Sequence, residues 1–503
     1  MPQILMLGTS DDVAVALQAV PVGQFLPSLR LTTRSGIPAG HKLAVRPILT
    51  GEPVRKFNQI IGFATQPIAP GEHVHTHNLV AGDFERDYSV GSETKVTALL
   101  DPAEAATFLG IVRPDGRVAT RNYVGILTTV NCSASVARRI AAHFTPEVLS
   151  DYPNVDGVVA ITHGTGCGMA EQGEPADLLR RVFVGYATHV NFASVLLMGL
   201  GCETNQISHL LSLTGSSSTL RSATIQEEGG SAASANKGIA TVHELLAQAN
   251  QTVRVPVPAS NLLVGLQCGG SDAYSGISAN PALGAAVDLL IQNGGGAILS
   301  ETPEIYGAEH LLTRRSKTPE VAHRLIERIH WWEEYTARHN GSLDNNPQPG
   351  NKTGGLTTIL EKSLGAISKG GTTNLNEVYL YAQPVRDRGL VFMDSPGFDP
   401  VSATGQVAAG ANLICFTTGR GSVYGCKPTP SIKIASNTAL FHRMSDDMDI
   451  NCGTIIDGKE TVEEAGARIF AEMLAVASGN PTRSEIHGFG EEEFQPWLQG
   501  ATL

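Results

Sequence analysis

The strongest constraint on the fold is a repeated alternation of short apolar runs with segments of helical periodicity. In a first series the runs are YVGILTTV before Asn131, DGVVAIT before His163 and SVLLMGLG before Cys202. A second series begins near Asn261 with LLVGLQ and continues through GAILSE, GLVFMDSPG, NLICFTTGRGS and SIKIAS. Alternating β and α units predict mainly parallel sheets, in which buried strands are continuously apolar and the connections are right-handed.

The chain should divide into two to four domains, because 503 residues exceed what one hydrophobic core supports, and the pattern along it predicts three. Residues 1–95 show short β-rich runs with the turns IPAG, LTGE and IAPG, and then a polar linker, which predicts a small β domain. Residues 96–255 carry the first βα series and residues 256–503 carry the second. We expect a helix from about Ile239 to Gln251 and a loop at PQPGNKTGGL, which is too rich in glycine to favour a helix.

Composition argues against several classes of function. Apolar residues make up 42% of the chain and charged residues 17%, as in packed globular proteins. A net charge of −12 without a dense Lys/Arg run argues against nucleic-acid binding. The N-terminus MPQILMLGTSDD has no basic leader, and no apolar run approaches the roughly 20 residues of a membrane span. We therefore expect a cytoplasmic protein whose seven cysteines are buried residues, metal ligands or redox groups rather than disulfides.

Four cysteines occupy equivalent places in the predicted βα units. Cys132, Cys167 and Cys202 are each 35 positions apart and follow apolar runs, and Cys268 stands in the same place after LLVGLQ. Ligands of open parallel sheets bind beyond the carboxyl ends of the strands, so the four thiols could converge on one site. With His163 they would suit Fe(II), zinc or an iron–sulfur cluster.

The alternative is that these cysteines are packing residues, because cysteine is among the most buried residue types. None of the four belongs to a CxxC pair, which excludes the usual zinc-ribbon and thioredoxin patterns. Cys415, Cys426 and Cys452 lack this placement and are expected to be packing residues.

Seven strings along the chain carry a family resemblance. They are NCSASVARR, HGTGCG, GLGCETNQ, LQCGGSDAYSGISANPALG, SETPEIYGAEHLL, PGNKTGGLTTILEKSLG and FTTGRGSVYG, in that order. Together they resemble the altronate/galactarate dehydratase family. The N-terminal GHKLAV, FNQIIGFA and GEHVHTHN are similar to the β-clip (SAF-like) module of those enzymes. The resemblance covers almost the whole chain.

The resemblance implies an α/β fold with three parts: a small N-terminal β-clip domain, an α/β middle domain and a C-terminal Rossmann-like parallel-sheet domain. It also implies an Fe(II)-stimulated hydro-lyase that converts a sugar acid to a 2-keto-3-deoxy acid and assembles as a homodimer or larger oligomer. HVHTHN is similar to the altronate branch, whereas YPNVDGVVA and DMDINCGTI are closer to the galactarate branch. A sulfo-lyase that acts on sulfolactate shares the same strings, so the leaving group stays open.

Dehydration of a polyhydroxy acid needs a base, help for the departing hydroxide and stabilisation of an enolate, and a metal can supply the last two. Lys352 in PGNKTGG is a candidate base, and a carboxylate-binding role is its alternative. His75 and His77 in HVHTHN are candidates for catalysis or metal binding. A solvated strand edge is the alternative for both histidines.

Polar groups at the predicted strand ends supply further candidates. Asp272 after Cys268 and Glu301 after GAILS could ligate iron or act as acid or base, and helix capping is the alternative for Asp272. Residues suited to hold the substrate and its carboxylates are Arg121, Asn122, Ser271, Asn351 and Arg420.

Three functions remain open at this level. The first is a metal-assisted hydro-lyase acting on a sugar acid, with a sulfo-lyase as its variant. The second is a redox protein with an iron–sulfur cluster, and the third is a protein that binds a sugar acid without converting it.

Overall fold

The N-terminal residues form small antiparallel sheets joined by tight turns. The computed structural model of the chain describes residues 4–215 and 219–500. Its first strands are β1 (Ile4–Leu5), β2 (Val13–Ala16), β3 (Phe25–Leu26), β4 (Leu31–Thr32), β5 (Lys42–Ala44), β6 (Pro53–Lys56), β7 (Gln59–Ala64), β8 (His73–Val74) and β9 (Leu79–Val80). They pair in the orders β1-β2-β5-β8, β6-β7-β9 and β3-β4, all antiparallel. This confirms the predicted β-clip domain.

The turns between these strands depend on glycine. Gly71 in IAPG has a φ of 85°, and a Cβ at this position would lie 2.4 Å from the carbonyl oxygen of Thr32. Because left-handed backbone and lack of space coincide here, only glycine fits without strain.

The polar segment after β9 is not a free linker. Its backbone follows the C-terminal domain: the Gly91 amide donates to the Thr313 carbonyl oxygen (3.0 Å) and the Leu100 amide donates to that of Gln292 (2.8 Å). Tyr88 adds a hydrogen bond from its hydroxyl to Glu309. The segment therefore holds the β-clip and C-terminal domains together along its length.

The middle domain contains a parallel sheet of order β13-β12-β14-β15 and a small antiparallel sheet of order β11-β10-β16. Its strands are β10 (Thr107–Val112), β11 (Val118–Ala119), β12 (Tyr123–Thr128), β13 (Gly157–Ile161), β14 (Phe192–Gly199), β15 (Leu220–Thr224) and β16 (Val255–Pro258). Its helices are α1 (Ala134–Ala141), α2 (Pro146–Leu149), α3 (Glu174–Ala187), α4 (Ile207–Thr214) and α5 (Ser231–Ala249). The helix expected from Ile239 thus begins earlier, at Ser231.

The C-terminal domain is built on a seven-stranded, all-parallel sheet of order β19-β20-β18-β17-β21-β22-β23. The strands are β17 (Leu263–Cys268), β18 (Gly296–Ser300), β19 (Leu375–Tyr379), β20 (Gly389–Met393), β21 (Leu413–Thr418), β22 (Ser431–Ala435) and β23 (Ile450–Asn451). The helices are α6 (Ala279–Gln292), α7 (His310–Thr313), α8 (Pro319–Arg338), α9 (Pro349–Thr353), α10 (Ile359–Ile367), α11 (Asp399–Ala408), α12 (Thr438–Arg443), α13 (Gly453–Ile456), α14 (Val462–Ala477) and α15 (Arg483–Ile486). Short 3-10 turns lie at Asn131–Ser133, Ala259–Asn261, Thr302–Glu304, Leu343–Asn345 and Ser368–Gly370.

The sheet of the C-terminal domain confirms the predicted Rossmann-like class. Each apolar run of the second series became a buried strand, and the residues 349–353, expected as a loop, form the single-turn helix α9. Strand β17 pairs with β18 on one side and with β21 on the other. The chain leaves β17 towards one side and later returns on the other, so the carboxyl end of β17 is the switch point where ligands bind in such sheets.

The β-clip domain shares its hydrophobic core with the C-terminal domain. One continuous buried cluster contains Ile61 and Val74 of the β-clip domain together with Leu266 and Leu299 of the large sheet. A second cluster joins helix α3 of the middle domain to helix α11. The three domains are therefore packed into one body by apolar burial.

A buried group of three charges lies across the first of these interfaces. Glu361 on α10 accepts hydrogen bonds from Lys42 Nζ (2.8 Å) and Lys56 Nζ (2.8 Å), and all three side chains are at most 2% exposed. Glu361 also accepts from the Thr357 amide. Since a buried charge is tolerated only when it is paired, this triad fixes how the β-clip domain sits on α10.

Within the described parts of the chain, helices long and apolar enough to cross a membrane are absent.

Removal of the central charge of the triad tests its contribution to stability. We expect Glu361→Ala to lower the free energy of unfolding at pH 7 by about 3–5 kcal/mol, because two buried ammonium groups lose their counter-charge. Urea denaturation measures the change. The control is Glu228→Ala, which removes the partner of the exposed Lys237 and should cost about 1 kcal/mol or less. Equal losses in the two variants would contradict the assignment.

The contribution of Glu361 to the free energy of unfolding should also depend on pH. Burial alone would raise the pKa of Glu361, but Lys42 and Lys56 hold the pKa well below its ordinary value. A depressed pKa in the folded state gives stability that is present above the unfolded value of about 4.3 and is lost as the pH falls below it. The difference in stability between wild type and Glu361→Ala should therefore narrow under acid conditions.

Candidate active site at the carboxyl edge of the large sheet

Cys268 lies at the switch point, as the last residue of β17. Its side chain is buried, its Sγ accepts a hydrogen bond from Lys369 Nζ at 3.0 Å, and it lies 3.5 Å from Glu304 Oε2. Burial raises the pKa of the thiol to about 12, although Lys369 acts in the opposite direction. The thiol is thus held between a cation and a carboxylate at the point where the topology of the sheet reverses.

Glu301 follows the neighbouring strand β18 and is the most strained residue of the site. Its side chain is fully buried, its φ of 73° is left-handed, and neither carboxylate oxygen has a hydrogen-bond partner. The nearest cation is Lys369, whose Nζ lies 4.0 Å from Oε2. Burial, and then the charge of Glu304, raise the pKa of Glu301 well above its ordinary value. Unpaired buried carboxylates with strained backbone are rare and cluster at functional sites.

Glu304 is the member of the pair with close cationic partners. Lys362 Nζ (2.5 Å) and Asn346 Nδ2 (2.8 Å) both donate to its Oε1. Burial alone would raise the pKa of Glu304, but Lys362 and Lys369 hold it below its ordinary value. The pKa values of the two glutamates therefore shift in opposite directions, because among the described residues only Glu304 has a cation within hydrogen-bond distance.

Asp399, at the start of α11, completes the cluster. A Cβ on Gly269 would lie 2.2 Å from its Oδ2, so the second residue of the CGGSD string must be glycine to admit this carboxylate. Burial, followed by the charge of Glu304, raises the pKa of Asp399 to about 7.

The loop after Cys268 is held by its own network. Asn351 Nδ2 donates to the Ser271 carbonyl oxygen at 2.8 Å, and the buried Ser271 Oγ has no hydrogen-bond partner. Asp272 accepts from Ser275, from Ser436 Oγ (2.8 Å) and from Asn437 Nδ2 (3.0 Å). Both of its oxygens are therefore engaged in holding the loop, and a catalytic role of Asp272 stays a prediction.

Four further candidates surround this loop. Lys352 is half-buried on α9, and the exposed Arg420 donates its backbone amide to the Gly270 carbonyl oxygen. His75 belongs to a group with His41 and His73, whereas His77 is exposed. These residues lie on α9, after β21 and in the β-clip domain.

The structure does not bring the four cysteines together. Cys132, Cys167 and Cys202 are exposed at the carboxyl edge of the middle sheet, whereas Cys268 is buried in the other sheet. The loops of the first three are neighbours, since the Asn131 amide donates to the Thr165 carbonyl oxygen and the Asn205 amide to that of Gly166. Among the described residues, their sulfur atoms do not form a metal-sized group with one another or with Cys268. A site on these three loops stays a prediction.

His163 is a structural residue of that edge. Its Nε2 hydrogen-bonds the Thr128 carbonyl oxygen (2.9 Å) and its Nδ1 accepts from the Thr165 amide (3.2 Å). Burial lowers its pKa to about 4. Both ring nitrogens are engaged in these hydrogen bonds, and the role of His163 as a metal ligand stays a prediction.

Arg121 and Asn122 precede β12 and therefore lie at the opposite edge of the middle sheet. Arg121 is 2% exposed and donates to both oxygens of Glu485 and to the Val476 and Asn480 carbonyl oxygens. Asn122 donates to the Asn154 and Ala249 carbonyl oxygens. Arg121 thus joins the middle domain to the C-terminal domain, whereas the Asn122 bonds stay within the middle domain. Their role in substrate binding stays a prediction.

Sequence reasoning missed the two cations beside Cys268 and the histidine His41. Lys362 lies on α10, and Lys369 lies in the 3-10 turn Ser368–Gly370 that follows it. Lysines in an otherwise apolar segment are unusual, and this pattern in LEKSLGAISKG could have indicated buried cations. Asp399 and His41 gave no comparable signal.

Three consecutive parts of the chain match known family models. Residues 2–82 match the altronate/galactarate dehydratase SAF domain, and residues 110–250 match the second domain of D-galactarate dehydratase/altronate hydrolase. Residues 259–502 match the C-terminal domain of D-galactarate/altronate dehydratase. The chain belongs to the altronate/galactarate dehydratase family. This confirms the resemblance inferred from the motifs, while the boundaries at residues 95 and 255 stay predictions.

Curated relatives of this family cover the chain from end to end. Altronate dehydratase of Bacillus subtilis is 31% identical over 507 residues, which span all of both chains. Galactarate dehydratase (L-threo-forming) of Escherichia coli is 39% identical over 451 residues, which are 88% of this chain and 86% of its own. The beta subunit of (2R)-sulfolactate sulfo-lyase of Chromohalobacter salexigens is 31% identical over 76% of this chain and 96% of its own. As a member of the dehydratase family, the protein is a hydro-lyase, a carbon–oxygen lyase.

Thiol reactivity tests how the family fold distributes the seven cysteines. In native, metal-free protein we expect Cys132, Cys167 and Cys202 to react rapidly with Ellman's reagent, because they are exposed, and the four buried cysteines to react only after unfolding. The variant in which all three exposed cysteines are replaced by serine should show no rapid phase. A rapid reaction of Cys268 in that variant would contradict the buried position of the site.

Proposed function

We propose that this protein removes water from an altronate- or galactarate-type sugar acid to give a 2-keto-3-deoxy acid, assisted by Fe(II). The reaction class is supported by the names of the relatives, which are altronate and galactarate dehydratases. We infer the position of the site from Glu301. Its carboxylate is fully buried, has no hydrogen-bond partner among the described residues and lies beside Cys268 at the switch point.

The donor set at this place fits a divalent metal. Cys268, Glu301 and Glu304 would hold it, since one ligand atom from each lies within 4.8 Å of the others and the carboxylate of Glu301 lacks any other partner. A single thiol with two carboxylates suits Fe(II) better than an iron–sulfur cluster, which is usually held by several cysteines. Bound there, Fe(II) supplies Lewis acidity to the substrate carboxylate and the departing hydroxyl.

The surrounding residues would supply charge and proton transfer. Lys369 and Lys362 place two ammonium groups beside the reaction centre, where they would stabilise the negative charge of an enolate in a medium of low polarity. Asp399 projects over Gly269 into the same space, and we assign to it the transfer of the proton next to the substrate carboxylate. Arg420 and Lys352 would bind the outer carboxylate and hydroxyl groups of the substrate.

The three ligand candidates are closed off from solvent, because Cys268, Glu301 and Glu304 are each at most 3% exposed. The cavity on the β-clip side of Cys268, which Ser271 and Lys362 also line, has a volume of about 10 Å³ and holds at most one water molecule. A six-carbon acid can therefore enter only if a covering element moves, and the segment of α9 that joins Asn351 to Ser271 lies across the loop. The half-buried Lys352 would move with that segment.

Substitution at the two carboxyl groups tests the assignment. We expect Glu301→Gln and Asp399→Asn each to reduce kcat by about 10²- to 10⁴-fold, because one loses a ligand charge and the other a proton carrier. Glu301→Gln should in addition lose bound iron, measured by elemental analysis. The control is Glu472→Gln on α14, outside the site, with unchanged kcat. A wild-type kcat in both Glu301→Gln and Asp399→Asn would contradict the proposed centre.

A substrate screen tests the reaction itself. Under reducing conditions with Fe(II), altronate or galactarate should give a keto-deoxy acid, whereas glucarate should react more slowly. A chelator should abolish the activity and Fe(II) should restore it. Activity that survives complete iron removal would contradict metal assistance.

A sulfo-lyase is the second candidate, because the sulfolactate sulfo-lyase relative matches three quarters of the chain. Sulfite release from sulfolactate in the same screen would favour it. The electron-transfer alternative has no support among these relatives, which are lyases. We further propose a homodimer or larger assembly in the cytoplasm, where a reducing environment suits seven unpaired cysteines. Light scattering of the purified protein tests the assembly.

A further inference from the structure

A second group of potential metal ligands lies outside the proposed centre. His41 precedes β5, His73 begins β8, and His75 follows β8, so pairing of these two strands places the three rings side by side. His41 Nδ1 lies 3.0 Å from His73 Nε2, and one nitrogen from each of the three rings lies within 4.8 Å of the others. Ligand nitrogens around a four-coordinate metal are about 3.4 Å apart at the usual bond length of about 2.1 Å.

The rings are held by contacts to other parts of the chain. His41 Nε2 hydrogen-bonds the Thr353 carbonyl oxygen at 3.3 Å, which places a proton on Nε2 and leaves the lone pair of Nδ1 towards His73. Metal-binding histidines commonly donate their second nitrogen to a carbonyl oxygen in this way. His75 Nδ1 is buried and has no hydrogen-bond partner.

Asn78 holds the backbone of the other two histidines. Its Oδ1 accepts from the His75 amide (2.9 Å) and its Nδ2 donates to the His73 carbonyl oxygen (2.9 Å). The His73 amide in turn donates to Ser35 Oγ. The imidazoles are therefore held by Asn78, Ser35 and Thr353 in addition to the hydrogen bond between His41 and His73.

The charges around the group favour neutral imidazoles. His73 and His75 are both partly buried, and burial disfavours a charged ring. The ammonium group of Lys42 is paired with Glu361, which limits its repulsion of a cation. Neutral imidazole is the form that binds metals.

We propose that His41, His73 and His75 bind one borderline divalent cation, such as Zn²⁺, Co²⁺ or Fe²⁺, in a site distinct from Cys268, Glu301 and Glu304. Three imidazole nitrogens favour this class of ion over Mg²⁺ and Ca²⁺, which prefer oxygen ligands. The site goes beyond the proposed function, because it lies in the β-clip domain against the carbonyl of Thr353. The cation joins that domain to the segment that carries Asn351 and Lys352.

The test counts metal equivalents in the full-length protein after removal of all metal. Zn²⁺ titration by calorimetry should show one equivalent fewer in His41→Gln and in His75→Gln than in wild type. His77→Gln is the matched control, because this exposed histidine lies beside the group, 5.4 Å from the His73 ring, but outside it. Circular dichroism and the unfolding transition confirm that each variant is folded. Unchanged stoichiometry in folded His41→Gln and His75→Gln would overturn the proposal.

Co²⁺ spectra separate this site from the proposed centre. In Glu301→Gln and in Cys268→Ser, Co²⁺ bound by the histidines should still give weak visible bands, without a sulfur-to-metal charge-transfer band. In His75→Gln these histidine-type bands should be lost. Loss of all Co²⁺ bands in Cys268→Ser alone would mean that the histidines bind no ion of their own. Retained histidine-type bands in a protein that lacks dehydratase activity would support this site and reject only the proposed function.

Discussion

The buried pairing of Lys42 and Lys56 with Glu361 is the interaction on which the arrangement of the protein depends. Burial of a charge costs solvation free energy, and a distant or poorly oriented partner does not compensate for that cost. The three buried charges therefore need the close pairing seen here, with both lysines 2.8 Å from Glu361. Apolar packing between the β-clip domain and the large sheet favours association, but it is compatible with several orientations. The ion triad selects one of them, since a shifted interface would leave a charge unpaired.

Two residues adjacent in sequence to this triad contact the two candidate metal sites, the histidine group and the centre at Cys268. His41 precedes Lys42 and points towards His73, and Lys362 follows Glu361 and points towards Glu304. Consecutive residues of a helix project about 100° apart, so α10 can present one charge to the β-clip domain and the next to the large sheet. The interface triad and the two candidate sites are therefore adjacent in the chain as well as in space.

Prediction from the sequence succeeded where local pattern suffices and failed where distant charges decide. Apolar runs located β12, β17 and β18, and the strand-end rule placed Cys268 and Glu301 at one edge. Arg121 looked like a residue for binding carboxylates because its environment is invisible in the sequence. Its carboxylate partner is Glu485, more than 360 residues away. The equal spacing of Cys132, Cys167 and Cys202 correctly indicated a shared sheet edge but extended wrongly to Cys268, which belongs to another sheet.

The sequence by itself determined the parallel sheets and the order of the three domains, because apolar periodicity and glycine turns act over a few residues. The family followed from the resemblance of its motifs. Only the tertiary structure decided which polar residues share a site. Lys369 becomes a partner of Cys268, and His41 a neighbour of His73, through pairings that span 101 and 32 positions of the chain. The contacts of a buried group then set its pKa. Glu301 and Glu304 are the same residue type, stand three positions apart and are both buried. They differ in pKa because Lys362 reaches one carboxylate and not the other.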